Sequence, residues 1–413
     1  MPAVLDVDFV RSQFPAFSEP ALRDRPFFEN AGGSYACAQV IGRLQRYYTA
    51  TKVQPYADYP ASMEAGRQMD EARQRLAAML NVLPEELIFG PSTSQNTYTL
   101  ACAFAGMLKA GDEIIVTNQD HEANTGCWRR LAEYGIVIHE WRMDPETGQL
   151  DPSGLEALLS SKTRLVAFPH CSNIIAQIND AAALTRRIHD AGALAIIDGV
   201  SHAPHGLPDI AGTGADIYLF STYKTYGPHQ GIMVVRKELL HELPNQGHWF
   251  NDSFADKRLT PAGPDHAQVA ACAGIADYMD SLHGHHFTAD DSPSGRAKAV
   301  ARLFRAHEQA LMAPLLEFLR DTKKARILGP QFVDNRAPTI ALDTARRPQD
   351  IARDLADLGI MAGWGNFYAV RTLQGLGIDP ERGVLRLSFV HYTTEQEMDQ
   401  LMAALETTLQ DDD

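Results

Sequence analysis

Between residues 87 and 235 the chain alternates short apolar runs with helix-length amphipathic segments, and this alternation restricts the fold more than any other feature. The runs are Leu87–Phe89, Glu113–Thr117, Val137–Trp141, Arg164–Phe168, Leu194–Ile197, Ile217–Phe220 and Ile232–Val235. Several are apolar without a break, the pattern of strands buried on both faces. The segments at about 94–108, 122–134 and 180–191 have helical spacing. Together they predict an α/β fold: a mainly parallel seven-stranded sheet sandwiched by helices. In such sheets ligands sit beyond the carboxyl ends of the strands, so the polar residues just after each run are the candidates for chemistry.

The flanking sequence adds a second unit. Residues 7–14 read as a short helix and Pro26–Ser34 as a strand running into a glycine-rich turn. Helices are expected over 39–52 and 62–80, the second with Met63, Met69, Leu76, Met79 and Leu80 as a core or subunit-contact stripe. After a helix at 265–282, the polar, breaker-rich segment His283–Gly295 reads as a loop and a boundary region. The expected division is a large domain with an N-terminal arm, 1–285, and a smaller α+β domain, 286–413. The latter offers a helix at 296–320, a strand Thr339–Asp343, a helix at 348–358, a strand Val384–Phe389 and a closing helix from Thr394. At 413 residues and 45% hydrophobic, the chain has material for both cores.

Charge and cysteine usage exclude several functions. A net charge of -15 is the wrong sign for a nucleic-acid surface, and Asp411–Asp413 reads as a solvated end. Cys37, Cys102, Cys127, Cys171 and Cys272 show no CxxC spacing, so neither a disulfide framework nor a zinc knuckle is indicated and a reducing cytoplasm is expected. The N-terminus lacks a basic segment followed by an apolar one, and no apolar run reaches membrane-spanning length. Neither export nor insertion is expected.

The strand ends carry the chemistry. Lys224 follows the run ending at Phe220, flanked by Tyr223 and Tyr226; an amine walled by two rings is partly desolvated, which favours the neutral form that makes a Schiff base. Ser92, Thr93 and Ser94 stand where a helix begins, and its N–H groups and dipole suit a phosphate; taken alone, the stretch reads first as a helix with Ser92 or Thr93 as its N-cap. His121 stands ahead of the next helix, placed to stack on a heteroaromatic ring or to act as acid or base. Asn173 can meet a phenolic oxygen. Asp198 ends a run apolar enough to bury it, and a buried carboxylate needs a cationic partner such as a protonated pyridine nitrogen.

In order and spacing these residues resemble the aminotransferase class V family of pyridoxal-phosphate (PLP) enzymes, the cysteine desulfurase and selenocysteine lyase branch in particular. The matching stretches are Asn30–Gly33, Asp120–Asn124, His170–Asn173, Asp198–Gly199, Ser221–Lys224 with Tyr226–Pro228, and Val384–Ser388. The resemblance implies fold type I, PLP bound as an aldimine to Lys224, and a homodimer. It also implies Ser92, Thr93, Ser94 and Ser221 at the phosphate, Asp198 on the ring nitrogen and His121 over the ring. Asn173 with Ser201 or His202 is implied at the ring oxygen, Arg386 on the substrate carboxylate, and Asn30 and Tyr368 beside the substrate. Lys224, His121 and Asp198 are the expected catalytic set.

Four departures shape the expected reaction. Where desulfurases carry a loop cysteine this chain reads Ala362–Ala369, with no cysteine after Cys272. Tyr223 replaces a frequent histidine, Ser201 a usual glutamine, and Pro264 a threonine that crosses the dimer in many relatives. The expectation is an enzyme that removes the α-proton of a small amino acid and proceeds to transamination or C–S/β-elimination, with desulfurase-like or epimerase activity as alternatives. Two other classes compete. His170, His202, His205, His283, His285 and His286 raise a metallohydrolase, though without HExxH-type spacing and with the last three in an expected loop. The other is a non-catalytic scaffold.

Overall fold

In the computed structural model of the chain, residues 3–289 and 291–410 are described, so the acidic tail lies outside them. Twelve strands are present: β1 (Phe27–Phe28), β2 (Leu87–Gly90), β3 (Glu113–Thr117), β4 (Val137–Trp141), β5 (Thr163–Pro169), β6 (Leu194–Asp198), β7 (Ile217–Ser221), β8 (Gly231–Val235), β9 (Ala325–Ile327), β10 (Thr339–Thr344), β11 (Met361–Gly365) and β12 (Val384–Ser388). The seven apolar runs form one sheet in the order β2-β8-β7-β6-β5-β3-β4. Only β8 runs against the others, pairing antiparallel with β2 and β7. This is the mainly parallel seven-stranded sheet that the alternation predicts.

Continuous burial explains the continuous apolarity. Val166, Phe168, Ile197 and Phe220 pack into one core, while Leu165, Ala167, Ile196 and Leu219, one residue out of phase, pack into the other. With period-2 side chains and helices on both faces, neither set can be polar.

The second sheet has the order β1-β11-β12-β10-β9. Its first strand comes from the N-terminal arm: Phe27 and Phe28 pair in parallel with Met361 and Ala362. A two-residue strand has no periodicity by which its sheet could be recognised. Strand β11 falls where a loop was expected, because Gly363 and Gly365 lower its strand character.

Other departures are local. The expected helix at 122–134 is three short pieces, Glu122–Asn124, Gly126–Arg129 and Arg130–Tyr134. The expected helix at 265–282 is two, His266–Ala271 and Ala273–His286, so His283, His285 and His286 lie in a helix's last turn and not in a loop. Their partners are ordinary: His283 contacts Asp291, His285 contacts Asp6, and His286 accepts from the Asp6 N–H. Met63 leaves its stripe, being exposed, whereas Met69, Leu76, Met79 and Leu80 are buried. Among the described residues no helix is long and apolar enough to cross a membrane, and no cluster of three or more His, Cys, Asp or Glu side chains could hold a metal ion.

Candidate active site

A cavity of about 280 Å³ opens at the carboxyl ends of β2, β3, β5, β6 and β7. Its walls include Ser92, Thr93, Ser94, His121, Asn173, Asp198, Ser201, Ser221 and Lys224, drawn from five strand-end segments.

One end is built for an anion. Ser92 caps the Thr93–Ala105 helix, its Oγ accepting from Gln95 N, so the expected N-cap role is present. The free N–H groups of the first turn and the helix dipole face the same space. Thr93 and Ser221 join the two sides through a 2.8 Å hydroxyl–hydroxyl contact. Gly231, at the start of β8, allows this approach, since a Cβ there would run into the Ser92–Thr93 backbone.

The opposite wall holds two buried carboxylates. Asp198 accepts from Val200 N at 2.8 Å, yet burial pushes its carboxyl up to about 6, outweighing that bond and the Lys224 charge. Asp120 is its neighbour in charge: burial first and Asp198 second push its carboxyl pKa well above the usual carboxylate range. Its oxygens accept from His121 N and Asn124 Nδ2. Asp120 stands immediately before His121, and its burial is the one signal that the linear motif does not carry.

Lys224 is 8% exposed, and burial followed by the Arg386 charge pulls its ammonium down to about 8. A substantial neutral fraction therefore exists near neutral pH, as nucleophilic attack requires. Tyr223 walls this amine, its ring centroid 5.8 Å from Nζ, and is itself stacked on His229 at 4.8 Å. Tyr226 does not. Its ring lies in the core with Phe14 and Tyr278, and its hydroxyl donates to Pro204 O.

His121 is neutral here: burial, then the Lys224 and Arg386 charges, lower its imidazolium to about 3. Its Nδ1 accepts from Ala123 N at 3.0 Å, which leaves the proton on Nε2. This contact caps the N-terminus of the short Glu122–Asn124 turn.

Four expected residues stand apart. His202 turns from the cavity to stack on His170 at 3.7 Å, leaving Ser201 as the lining residue. Asn30 is buried, with Nδ2 donating to Phe27 O and Ser388 O while Oδ1 accepts from Tyr392, so its amide has no free valence toward a substrate. Tyr368 is 72% exposed, 5.5 Å from the His121 ring. Arg386 is only 3% exposed and is paired with Glu29. Asn173 lines the cavity, but its amide donates to Phe367 O, and Oδ1 is buried without a partner.

The set fits pyridoxal phosphate. The helix N-terminus and hydroxyls suit a phosphate, Asp198 lacks the cation that a pyridine nitrogen would supply, and the Asn173 Oδ1 is an orphaned acceptor at the same wall.

Comparison with known proteins agrees. The aminotransferase class-V model matches residues 26–258. The aminotransferase-like protein FGM3 of Gibberella zeae is 34% identical, covering 98% of each chain. A cysteine desulfurase of Serratia proteamaculans is 27% identical over 97% of each. The apo cysteine desulfurase of Thermococcus onnurineus superposes with a TM-score of 0.85 over 97% of both chains, at 23% identity. The chain belongs to the aminotransferase class V family of PLP-dependent enzymes.

Proposed function

We propose that the protein uses Lys224 to take the α-proton from a small amino acid and then completes either transamination or β-elimination. The observation that carries the reading is one cavity shared by a buried, acid-shifted lysine and a buried aspartate without a full cation. Ser92, Thr93, Ser94 and Ser221 would hold the phosphate of PLP, Asp198 would keep a proton on its ring nitrogen, and His121 would cover the ring. When bound, the cofactor supplies an electron sink that makes the α-carbon acidic. Lys224 Nζ would hold the cofactor and would be the base positioned to accept the α-proton. Its low proton affinity suits that exchange near neutral pH. The neutral His121 keeps a donor on Nε2 facing a ring it can cover without adding charge.

The absence of any cysteine after Cys272 removes the thiol that a persulfide relay from the Ala362–Ala369 segment would need, which favours direct chemistry on the substrate over sulfur relay. The 285/286 division and a homodimer belong to the same proposal; Trp249, Phe250 and Phe254 form an exposed apolar surface suited to a second copy.

The test is a panel of L-amino acids with PLP-loaded protein, reading keto-acid-dependent turnover, pyruvate or sulfide release, and α-proton exchange in parallel. Transamination or β-elimination is expected, with turnover lost by at least about a hundredfold in Lys224→Ala. Full activity in that variant, or proton exchange alone, would overturn the reading.

A further inference from the structure

Arg386 has no free edge in this structure. Its Nη2 donates to Glu29 Oε1 at 2.6 Å and its Nη1 to Asn173 O at 3.3 Å. The Phe367 ring lies 3.6 Å from the guanidinium carbon, covering one face, and Nε is buried without a partner. A substrate carboxylate has no fork to enter.

The element that closes the fork is itself incompletely held. Glu29 uses one oxygen on Arg386, while Oε2 is buried and unpartnered. A half-satisfied carboxylate opposite a buried guanidinium is a weak arrangement, since neither ion recovers its lost hydration. Room for it is supplied by two glycines: a Cβ on Gly32 or on Gly363 would collide with the Glu29 carboxylate. Its side chain is 28% exposed, so a displaced carboxylate has water to turn toward.

The cover is strained as well. Phe367 and Tyr368 are consecutive non-glycine residues with φ of 49° and 57°, in the left-handed region. They are held by Asn173 Nδ2 donating to Phe367 O and Glu122 N donating to Tyr368 O. Both donors belong to the strand-end segments around the cavity, so the cover rests on the site it closes.

We propose that Glu29 is a specificity-determining residue: its carboxylate occupies Arg386 in the resting enzyme, and a substrate carboxylate binds by displacing it and lifting Phe367. This rests on the reading that Arg386 receives the substrate carboxylate. Only an anion able to make a bidentate contact has an advantage over Glu29, because it satisfies two N–H groups where Glu29 satisfies one. An amine without a carboxylate never meets this competition.

The test uses PLP-loaded protein and calorimetric dissociation constants for two probes, L-alanine and ethylamine, which share an amine and differ in the carboxylate. Glu29→Gln is expected to bind L-alanine about tenfold tighter, with ethylamine unchanged within about twofold. Glu29→Asp, too short to keep the 2.6 Å contact, should move in the same direction by less. It keeps the test valid if the glutamine variant fails to fold. Unchanged or weaker L-alanine binding in the variants overturns the proposal and makes Glu29 a support for Arg386. Arg386→Gln should erase the preference for L-alanine over ethylamine; a preference that survives overturns the underlying reading of Arg386 instead. Wild-type protein that fails to bind PLP fails the proposed function, a result visible before either amine is added.

Discussion

The two ends of the site are built differently. At the phosphate end, Ser92, Thr93 and Ser221 are held by strand ends of the large sheet, and their hydroxyls already have partners. At the carboxylate end, Glu29 comes from the N-terminal arm, Arg386 from β12 and Phe367 from the segment after β11, with Glu29 Oε2 and Arg386 Nε both buried without partners. A cofactor that stays needs a preformed cradle; a substrate that comes and goes needs contacts that can be exchanged. Satisfied groups belong to the first task, half-satisfied groups and strained backbone to the second.

The largest break in this contrast should come from the residue between the two ends. Asp198→Asn removes the charge proposed to hold a proton on the ring nitrogen, and turnover should fall about 10²–10³-fold while L-alanine affinity changes far less. Equal losses in both would mean that Asp198 serves the substrate end too. The same carboxyl sets a pH signature in cofactor-free protein. Its folded pKa of about 6 lies above the 3.8 of an unperturbed aspartate, so between these values the native state holds the extra proton. That contribution is full below 3.8 and is lost as pH rises through about 6, on the order of 1–3 kcal/mol. Urea midpoints measured from pH 4 to 7 should show the loss, and Asp198→Asn should flatten it.

Smaller effects separate the ends further. Ser221→Ala removes a hydroxyl partner of Thr93 and should weaken PLP binding about tenfold in a cofactor titration, with the ratio of L-alanine to ethylamine affinity unchanged. Gly363→Ala should do the reverse. Its methyl group forces Glu29 away, so the L-alanine constant should shift by about threefold while PLP affinity holds within about twofold. A PLP loss in the glycine variant as large as in the serine variant would abolish the distinction.

The preformed end was legible in the sequence because each of its parts follows an apolar run that can be only a buried strand. Ser92, His121, Asn173, Asp198 and Lys224 could be picked out by position, and the sheet gathers them. The exchangeable end was less legible. Arg386 could be located but not its occupancy by Glu29, because that contact joins residues remote in sequence through strands of two and five residues. Asn30 and His202 turn elsewhere for a related reason: motif position fixes where the backbone goes, while side-chain direction depends on Tyr392 and His170, which no spacing rule reaches. Asp120 was overlooked beside His121 because a carboxylate's burial is a property of the assembled walls.

The pairing of Phe28 with Ala362 also sets an order of assembly. During synthesis the strands of the large sheet emerge together and can pair while the C-terminal strands are still unmade. The N-terminal arm must wait for β11 and β12 before it has a sheet to join, a long-range closure of the kind that slows folding. The nascent chain can therefore hold a cofactor cradle before its Arg386–Glu29 pair exists, and PLP added at that stage would act as a folding ligand, stabilising the first sheet while the second is still to come.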